Sequence, residues 1–353
     1  MKAALYYRRD DIRVEEFPDP VPGPEDVILK VEYCGICGTD LEEYRHGPIF
    51  IPMETPNPLT GVKAPLVLGH EFIGEVVEVG NKVTKYKVGD RLAPDVLLYC
   101  GECYWCKRHQ VTLCDQMAAL GLMGHGGLAQ YCKAPVSMCI KVPNSLRSDH
   151  AALAEPLSVA VRAVRKGRIQ LGDVVAIFGG GTIGLLALQV ARHAGAAAVY
   201  LVEPDPFRRK LAMQLGAAGV IDPKEGGAVE QLLAITCIGA DVTIEATGVP
   251  AVVPEAIEAT RKAGRVVLVG LPTGPSSFNF LAVVATEKEI VGSLSHVYDE
   301  DFWAAIRMLA DGRIEVDALI SDRIPLDDLV LRGLNRLGEG RADVLKILVM
   351  PNT

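Results

Sequence analysis

The order of apolar and polar positions changes character partway along the chain. Before about residue 90 the apolar runs are short and are broken at Gly and Pro: "EDVILKVEYCG", "LVLGHEFIGEVVEVG" and "VTKYKVGDRLAP". That pattern predicts strands joined by turns, an all-β region. Inside it, "PIFIPMETPNPLTGVKAP" carries Pro48, Pro52, Pro56, Pro58 and Pro65. This stretch reads as an irregular loop, and loops of such length often serve function. After about residue 150 the strand-like segments are "DVVAIF", "AVYLVEPD", "AGVID", "ADVTIEATG" and "RVVLVGL". Between them lie the helical stretches "GLLALQVARHAGA", "PFRRKLAMQLGA", "GAVEQLLAITC" and "VPAVVPEAIEATRKAG". Near-continuous apolar strands alternating with helices predict a buried parallel sheet. From about residue 293 the pattern is mixed, and "ADVLKILVMP" reads as a last strand.

Composition narrows the class. A chain of 353 residues, 49% hydrophobic and 23% charged, is a globular protein with a real core and room for two or three domains. The net charge of −8 argues against a nucleic-acid partner, which selects basic faces. The N-terminal "MKAALYYRRDDIRVEE" has too short an apolar stretch for a signal peptide. Val174–Ala191 is uncharged and long enough for a membrane span, yet Gly179, Gly180, Gly181 and Gly184 occupy its middle. It reads as strand, tight turn and helix, so no membrane association is expected. The nine cysteines are odd in number and dispersed. Without a secretory signal they suggest a cytoplasmic, reducing setting, where clustered cysteines bind metal more often than they form disulfides.

"AIFGGGTIG" contains G-x-G-x-x-G as Gly179, Gly181 and Gly184, with Thr182 and Ile183 in the turn. Alone the motif is weak. Here it follows a strand, opens a helix, and has Glu203 at the end of the next strand, nineteen residues after Gly184. That is the whole dinucleotide-binding fingerprint. Gly179 permits the turn, Gly181 lets backbone approach the pyrophosphate, and Gly184 lets helix and strand pack closely. The helix N-terminus offers N–H donors to the phosphates. Glu203 would bind the adenosine ribose and repel a 2′-phosphate, which favours NAD over NADP. Arg208 and Arg209 pull the other way.

Cys100, Cys103, Cys106 and Cys114 follow C-x2-C-x2-C-x7-C. Four thiolates complete a tetrahedral zinc shell and leave no position for substrate, so this zinc would be structural. A thioredoxin-like redox pair would need a βαβ pattern nearby, and none is seen there. A second set is scattered: Cys37 in "YCGICGTDL", His70 and Glu71 in "VLGHEFIG", and Glu155 in "ALAEPLSVA". No spacing joins them. A thiolate, an imidazole and a carboxylate would nonetheless make an open zinc site, with water or substrate as fourth ligand.

"GHEFIGEVVEVG", "GDR", the four-cysteine lobe, "GGGTIG" and "EP" together resemble the zinc-dependent medium-chain alcohol dehydrogenases, essentially end to end. "AEPLSVA", "EYRHGPIFIP" with "NPLTG", and the ending "KILVMPN" are most similar to the polyol and 2,3-butanediol (acetoin) dehydrogenase branch. The resemblance implies an α/β subunit of two domains. A GroES-like β-rich catalytic domain would be built from residues 1–151 and 294–353, and a Rossmann domain, with a doubly wound parallel sheet, from 152–293. The active site would lie in the cleft. Carried over by motif, Cys37, His70 and Glu155 would hold catalytic zinc, with Glu71 a supporting or alternate ligand. Gly179, Gly181, Gly184 and Glu203 would bind NAD, joined by backbone contacts near Thr247, Gly270 and Ser293. Thr39 is placed like the family's relay hydroxyl. Relatives usually carry histidine five residues after the zinc cysteine; Glu42 stands there, so Glu42, a repositioned His46 or water would finish the proton relay. The implied reaction is oxidation of a small secondary alcohol, with a vicinal diol favoured and a sorbitol-like polyol the alternative. The implied assembly is a homo-oligomer, tetramer over dimer.

Overall fold

The short N-terminal runs fold as strands. In order these are β1 (Lys2–Arg8), β2 (Asp11–Glu16), β3 (Asp26–Gly35), β4 (Leu66–Val67), β5 (Glu71–Val79), β6 (Arg91–Pro94), β7 (Leu97–Leu98), β8 (Ala118–Ala119), β9 (Tyr131–Pro135) and β10 (Cys139–Lys141). The computed structural model describes residues 1–272 and 274–353. They form two compact units: Met1–Glu155, Val297–Gly312 and Leu319–Thr353 in the first, Pro156–His296 and Arg313–Ala318 in the second.

In the first unit β3 is the spine. Along one side it pairs with β5, and on the other its first half, Asp26–Lys30, pairs with β9. The register breaks at Ile28/Leu29 and Val31/Tyr33, which let one long strand curve between partners. Val27, Leu29, Val31, Phe72, Val76 and Leu92 bury a common face.

One segment departs from the all-β expectation: Gly38–His46 is a helix, α1. Cys37 is its N-cap residue, and the Cys37 N–H donates to Asp40 Oδ2 at 2.9 Å. The buried positions of α1 are Asp40 and Glu43, two acids. An apolar periodicity was therefore absent from a segment that still has an inward face. From 47 to 65 no helix or strand forms, as the prolines predicted. The start of this loop is tied to α1, because Ile49, Phe50 and Ile51 donate their N–H groups to the Glu43 carboxylate at 2.9, 2.5 and 3.2 Å.

The chain then passes through α2 (Ser148–Ala151) and α3 (Ala154–Gly167). The second unit holds β11 (Val174–Phe178), β12 (Ala198–Val202), β13 (Gly219–Ile221), β14 (Ala240–Glu245), β15 (Thr260–Leu268) and β16 (Glu289–Gly292). Their order is β13-β12-β11-β14-β15-β16, every neighbouring pair parallel. Strand order reverses between β11 and β14, the doubly wound arrangement that places ligands beyond the strands' carboxyl ends. The crossovers are α4 (Thr182–His193), α5 (Pro206–Gln214), α6 (Ala228–Thr236) and α7 (Val252–Ala259), and the short α8 (Leu281–Val284) precedes β16.

A second expectation needs correction here. The helix predicted through Gly264 ends at Ala259, and "TRKAG" belongs to a bulged β15. Ala240 pairs with Thr260 but Val242 with Arg265, so the bulge absorbs the extra residues. Thr260 Oγ1 bonds to Thr243 Oγ1 at 2.7 Å and Arg261 Nε to Asp241 at 2.5 Å, which hold the segment against β14. Among the described residues no helix is long and apolar enough to cross a membrane.

The chain closes in the first unit. β17 (Ile320–Pro325) pairs parallel with β18 (Lys346–Met350), and β18 pairs antiparallel with the end of β3 at Cys34 and Gly35. The apolar run read as a last strand therefore becomes a central one.

Candidate active site

In the second unit β11 ends at Phe178 and the turn begins with Gly179 at φ +103°. A Cβ on Gly184 would strike the Gly179 carbonyl, and one on Gly179 would sit 2.8 Å from Thr247 Cγ2. A Cβ on Gly181 would meet nothing, so that side of the turn is open. Gly181 caps α4 without a side chain, which leaves the helix N-terminus suited to a phosphate. Glu203 is 5% exposed; its carboxylate accepts from Gly180 N at 2.6 Å and Asp205 N at 2.9 Å. The acid is thus locked beside the turn. Arg209 is bound to Asp222 at 2.8 Å and to the Glu203 carbonyl at 2.8 Å, so it is committed inside the fold. Arg208 stands in the first turn of α5, its Cβ against Gly180.

The loops after the later strands spend N–H groups within the fold. Thr247 N donates to Glu245 Oε1, Gly270 N to the Glu245 carbonyl, and Ser293 N to the Leu268 carbonyl. Those donors serve the fold, and the backbone groups these three residues can offer a ligand are carbonyl oxygens.

In the first unit the four cysteines converge between β7 and β8. Sγ of Cys100 lies 3.9 Å from that of Cys106 and 3.5 Å from that of Cys114. These separations exceed a disulfide bond and match the edge of a tetrahedron with ~2.3 Å zinc–sulfur bonds, about 3.8 Å. Backbone N–H groups point at the sulfurs: Glu102 and Cys103 at Cys100, and Cys100 and Gln116 at Cys114. Donors from Cys106 and Asp115 lower the Cys103 thiol to about 6, whereas burial and its neighbours push Cys106 up to about 12. Four thiolates side by side require a cation, and the donor set fits zinc with no ligand position left over.

Three of the four scattered residues also come together, and Glu155 is outside that group. One ligand atom each from Cys37, His70 and Glu71 lie within 4.8 Å of one another. Cys37 arrives at the N-terminus of α1. His70 follows Gly69, whose φ of +92° turns the chain into β5, and Glu71 opens that strand. His70 Nδ1 is 3.6 Å from Asp40 Oδ1, and both atoms are buried without a hydrogen-bond partner among the described residues. Burial opposes a charge on His70, but Asp40, Cys37 and Glu155 outweigh it and raise its pKa. The cluster offers a thiol, an imidazole and a carboxylate, a donor set suited to zinc, and Asp40 is placed to orient the imidazole.

Glu155 stands half-buried in the first turn of α3, and its charge acts on both His70 and Lys346. Glu71 is differently disposed from a free ligand. Lys346 Nζ donates to its two oxygens at 2.8 and 2.6 Å and to the Ile36 carbonyl at 2.9 Å, with Glu71 1% and Lys346 3% exposed. Thr39 Oγ1 is 3.7 Å from Cys37 Sγ. Glu42 is half-buried on α1, and His46 is exposed at its end.

Sequence reading missed Asp40, Glu43 and Lys346. A signal existed for two of them. Asp40 stands three residues after Cys37, the spacing of a helix-capping acid. Lys346 is a lone charge inside an apolar strand, which demands a buried partner.

Comparison with known proteins agrees with this geometry. Residues 23–144 match the alcohol dehydrogenase GroES-like domain and residues 182–311 the zinc-binding dehydrogenase domain. The chain is 40% identical over 356 residues to (R,R)-butanediol dehydrogenase of Bacillus subtilis strain 168, covering 100% of both. It is 32% identical to sorbitol dehydrogenase of the same strain, covering 100% of this chain and 98% of that one. A solved zinc-binding dehydrogenase from Sinorhizobium meliloti 1021, bound to NADP, superposes with a TM-score of 0.91 at 34% identity and 99% coverage of each chain.

Proposed function

Because this chain belongs to the zinc-dependent medium-chain alcohol dehydrogenases, oxidoreductases that use zinc and a nicotinamide dinucleotide, we propose that its substrate is a small vicinal diol of the 2,3-butanediol type, with acetoin reduced in the reverse direction. The observation that carries this is the full-length similarity to a butanediol dehydrogenase, joined to the gathered Cys37 and His70 with Glu155 in electrostatic reach. The alternative, a sorbitol-like polyol, rests on the lower similarity to a sorbitol dehydrogenase.

Cys37, His70 and Glu155 would hold the catalytic zinc, with Glu71 kept as a support by Lys346. A zinc held there would supply Lewis acidity toward the alcohol oxygen, and a bound nicotinamide would supply the hydride acceptor. The chain's own part is to orient and to move the proton. Thr39, beside Cys37, is placed to receive it, and Glu42, three residues further along α1, is the acceptor we assign. Glu203 favours NAD, and Arg209's commitment to Asp222 removes one potential host for a 2′-phosphate. We also assign a cytoplasmic homo-oligomer, a tetramer over a dimer. Association between copies is supported by β16, an edge strand, and by Phe280, Leu281 and Val284 leading into it, 73%, 66% and 73% exposed.

NADH absorbance with separate 2,3-butanediol stereoisomers, acetoin in reverse, and sorbitol tests the substrate. Turnover of a butanediol isomer at a kcat/KM at least ~100-fold above sorbitol is expected, about the discrimination that unpaired hydroxyls in a small site would give. Equal or better turnover of sorbitol would select the polyol reading.

A further inference from the structure

Glu245, the last residue of β14, is 1% exposed. A carboxylate so deeply buried is costly unless donors gather on it. Here they come from one oxygen's side. Oε1 accepts from Thr247 N at 2.7 Å, from the Thr247 hydroxyl and from Gly248 N at 3.1 Å. The residue's backbone carbonyl accepts from Val269 N at 2.9 Å and Gly270 N at 3.0 Å. Oε2 is buried and has no hydrogen-bond partner among the described residues. It lies 2.7 Å from where a Gly270 Cβ would stand, and the Gly248 N–H crowds the same point. Thr247 in turn presses its methyl on Gly179 of the phosphate turn.

Three chain segments therefore meet around one residue: the Thr247–Gly248 turn on its carboxylate, the Val269–Gly270 turn on its backbone carbonyl, and the Gly179 turn against Thr247. All three lie at the carboxyl ends of β11, β14 and β15, where Glu245 is in register with Phe178 on one neighbour and Leu268 on the other. The reversal of strand order between β11 and β14 makes this the crevice that a dinucleotide crosses. Glu203, just past the end of β12, marks the adenosine half. The Glu245 hub is on the opposite half.

We propose that Glu245 is a positioning residue for the nicotinamide half of the dinucleotide. Its carboxylate fixes the Thr247–Gly248 turn, and its backbone carbonyl the neighbouring Val269–Gly270 turn, before the ligand arrives, so that the nicotinamide nucleoside meets ordered backbone. This rests on assigning the Gly179–Gly184 turn and Glu203 to the dinucleotide. The adenosine half does not depend on Glu245, and that separates positioning from a general role in stability.

The test compares ADP and NADH binding to the zinc-loaded full chain, by calorimetry and by NADH fluorescence, in Glu245→Ala, Glu245→Gln and Thr247→Val. Glu245→Ala should weaken NADH by ~10–100-fold, the cost of about one to two charge-assisted hydrogen bonds, and leave ADP within about threefold. Glu245→Gln keeps an oxygen for the turn donors and should restore most NADH affinity. Thr247→Val keeps the methyl on Gly179 but loses the hydroxyl, and should weaken NADH alone by a few-fold; it carries the test if Glu245→Ala does not fold. Equal losses of ADP and NADH, unchanged NADH binding, or no rescue by Gln would each overturn the inference. Failure of the unaltered protein to bind either ligand would overturn the dinucleotide assignment itself.

Discussion

Lys346→Met is the sharpest test of how the candidate zinc site is supported. Lys346 and Glu71 are 3% and 1% exposed, and the ammonium reaches both carboxylate oxygens and the Ile36 carbonyl. Neither partner can be rescued by water in place. Removing the lysine leaves a buried, unpaired carboxylate, which costs about 3–5 kcal/mol. A domain of this size shifts its midpoint by roughly 2–4 °C per kcal/mol, so Tm should fall by about 6–20 °C in a thermal scan at pH 7. The double variant Lys346→Met with Glu71→Leu removes both charges, and apolar replacements of a buried pair are often near neutral. It should be more stable than Lys346→Met, with a coupling energy of at least ~2 kcal/mol. A loss under ~1 kcal/mol for Lys346→Met, or a double variant whose loss equals the sum of the singles, would refute the assignment of Lys346 as the clamp on Glu71.

Three further outcomes are expected. Cys103→Ser should lower Tm and release zinc without chelator, because structural metal binding contributes folding free energy; an unchanged melt would contradict it. Asp149 should stabilise the first unit in a pH-dependent way. Burial raises its pKa, but hydrogen bonds from Arg147 and Arg323 outweigh that and lower it. Its contribution is therefore full above the ordinary carboxylate range and is lost as pH falls through the lower folded value. Asp149→Asn should cost about 1–2 kcal/mol at pH 7, a modest figure because Arg147 is half exposed, and the difference should shrink as pH falls below the ordinary carboxylate range in denaturant melts. Glu42→Ala should lower turnover by ~10²–10⁴-fold and alter the pH–rate profile if Glu42 takes the relayed proton; an unaltered profile would assign that step to water.

The parallel sheet and its glycine turn were legible because both follow local rules. Apolar runs of strand length, a turn that only glycine fits, and an acid at the next strand's end all lie within one stretch of chain. The four-cysteine lobe was legible for the same reason. The other metal set was not, since Cys37, His70 and Glu155 come from separate segments and only the family resemblance joined them. α1 was hidden because its inward face is Asp40 and Glu43, so no apolar period announced it. The end of α7 was misplaced because "ATRKAG" has helix-forming residues, while the Thr260–Thr243 and Arg261–Asp241 contacts that draw it into β15 are set by tertiary structure. Lys346 stood in plain view inside "VLKILVM", but its partner lies far back along the sequence at Glu71.

The central claim is that the reaction occurs at the open set around Cys37 and not at the cysteine cluster. Zinc content and butanediol-dependent NAD reduction of Cys37→Ser test it most directly, with NADH binding and Tm as controls. The expected result is a fall from about two zincs per chain to about one, no turnover, and near-normal Tm and NADH affinity. Turnover retained with one zinc lost, or turnover abolished by Cys103→Ser in a protein that stays fully folded, would contradict it.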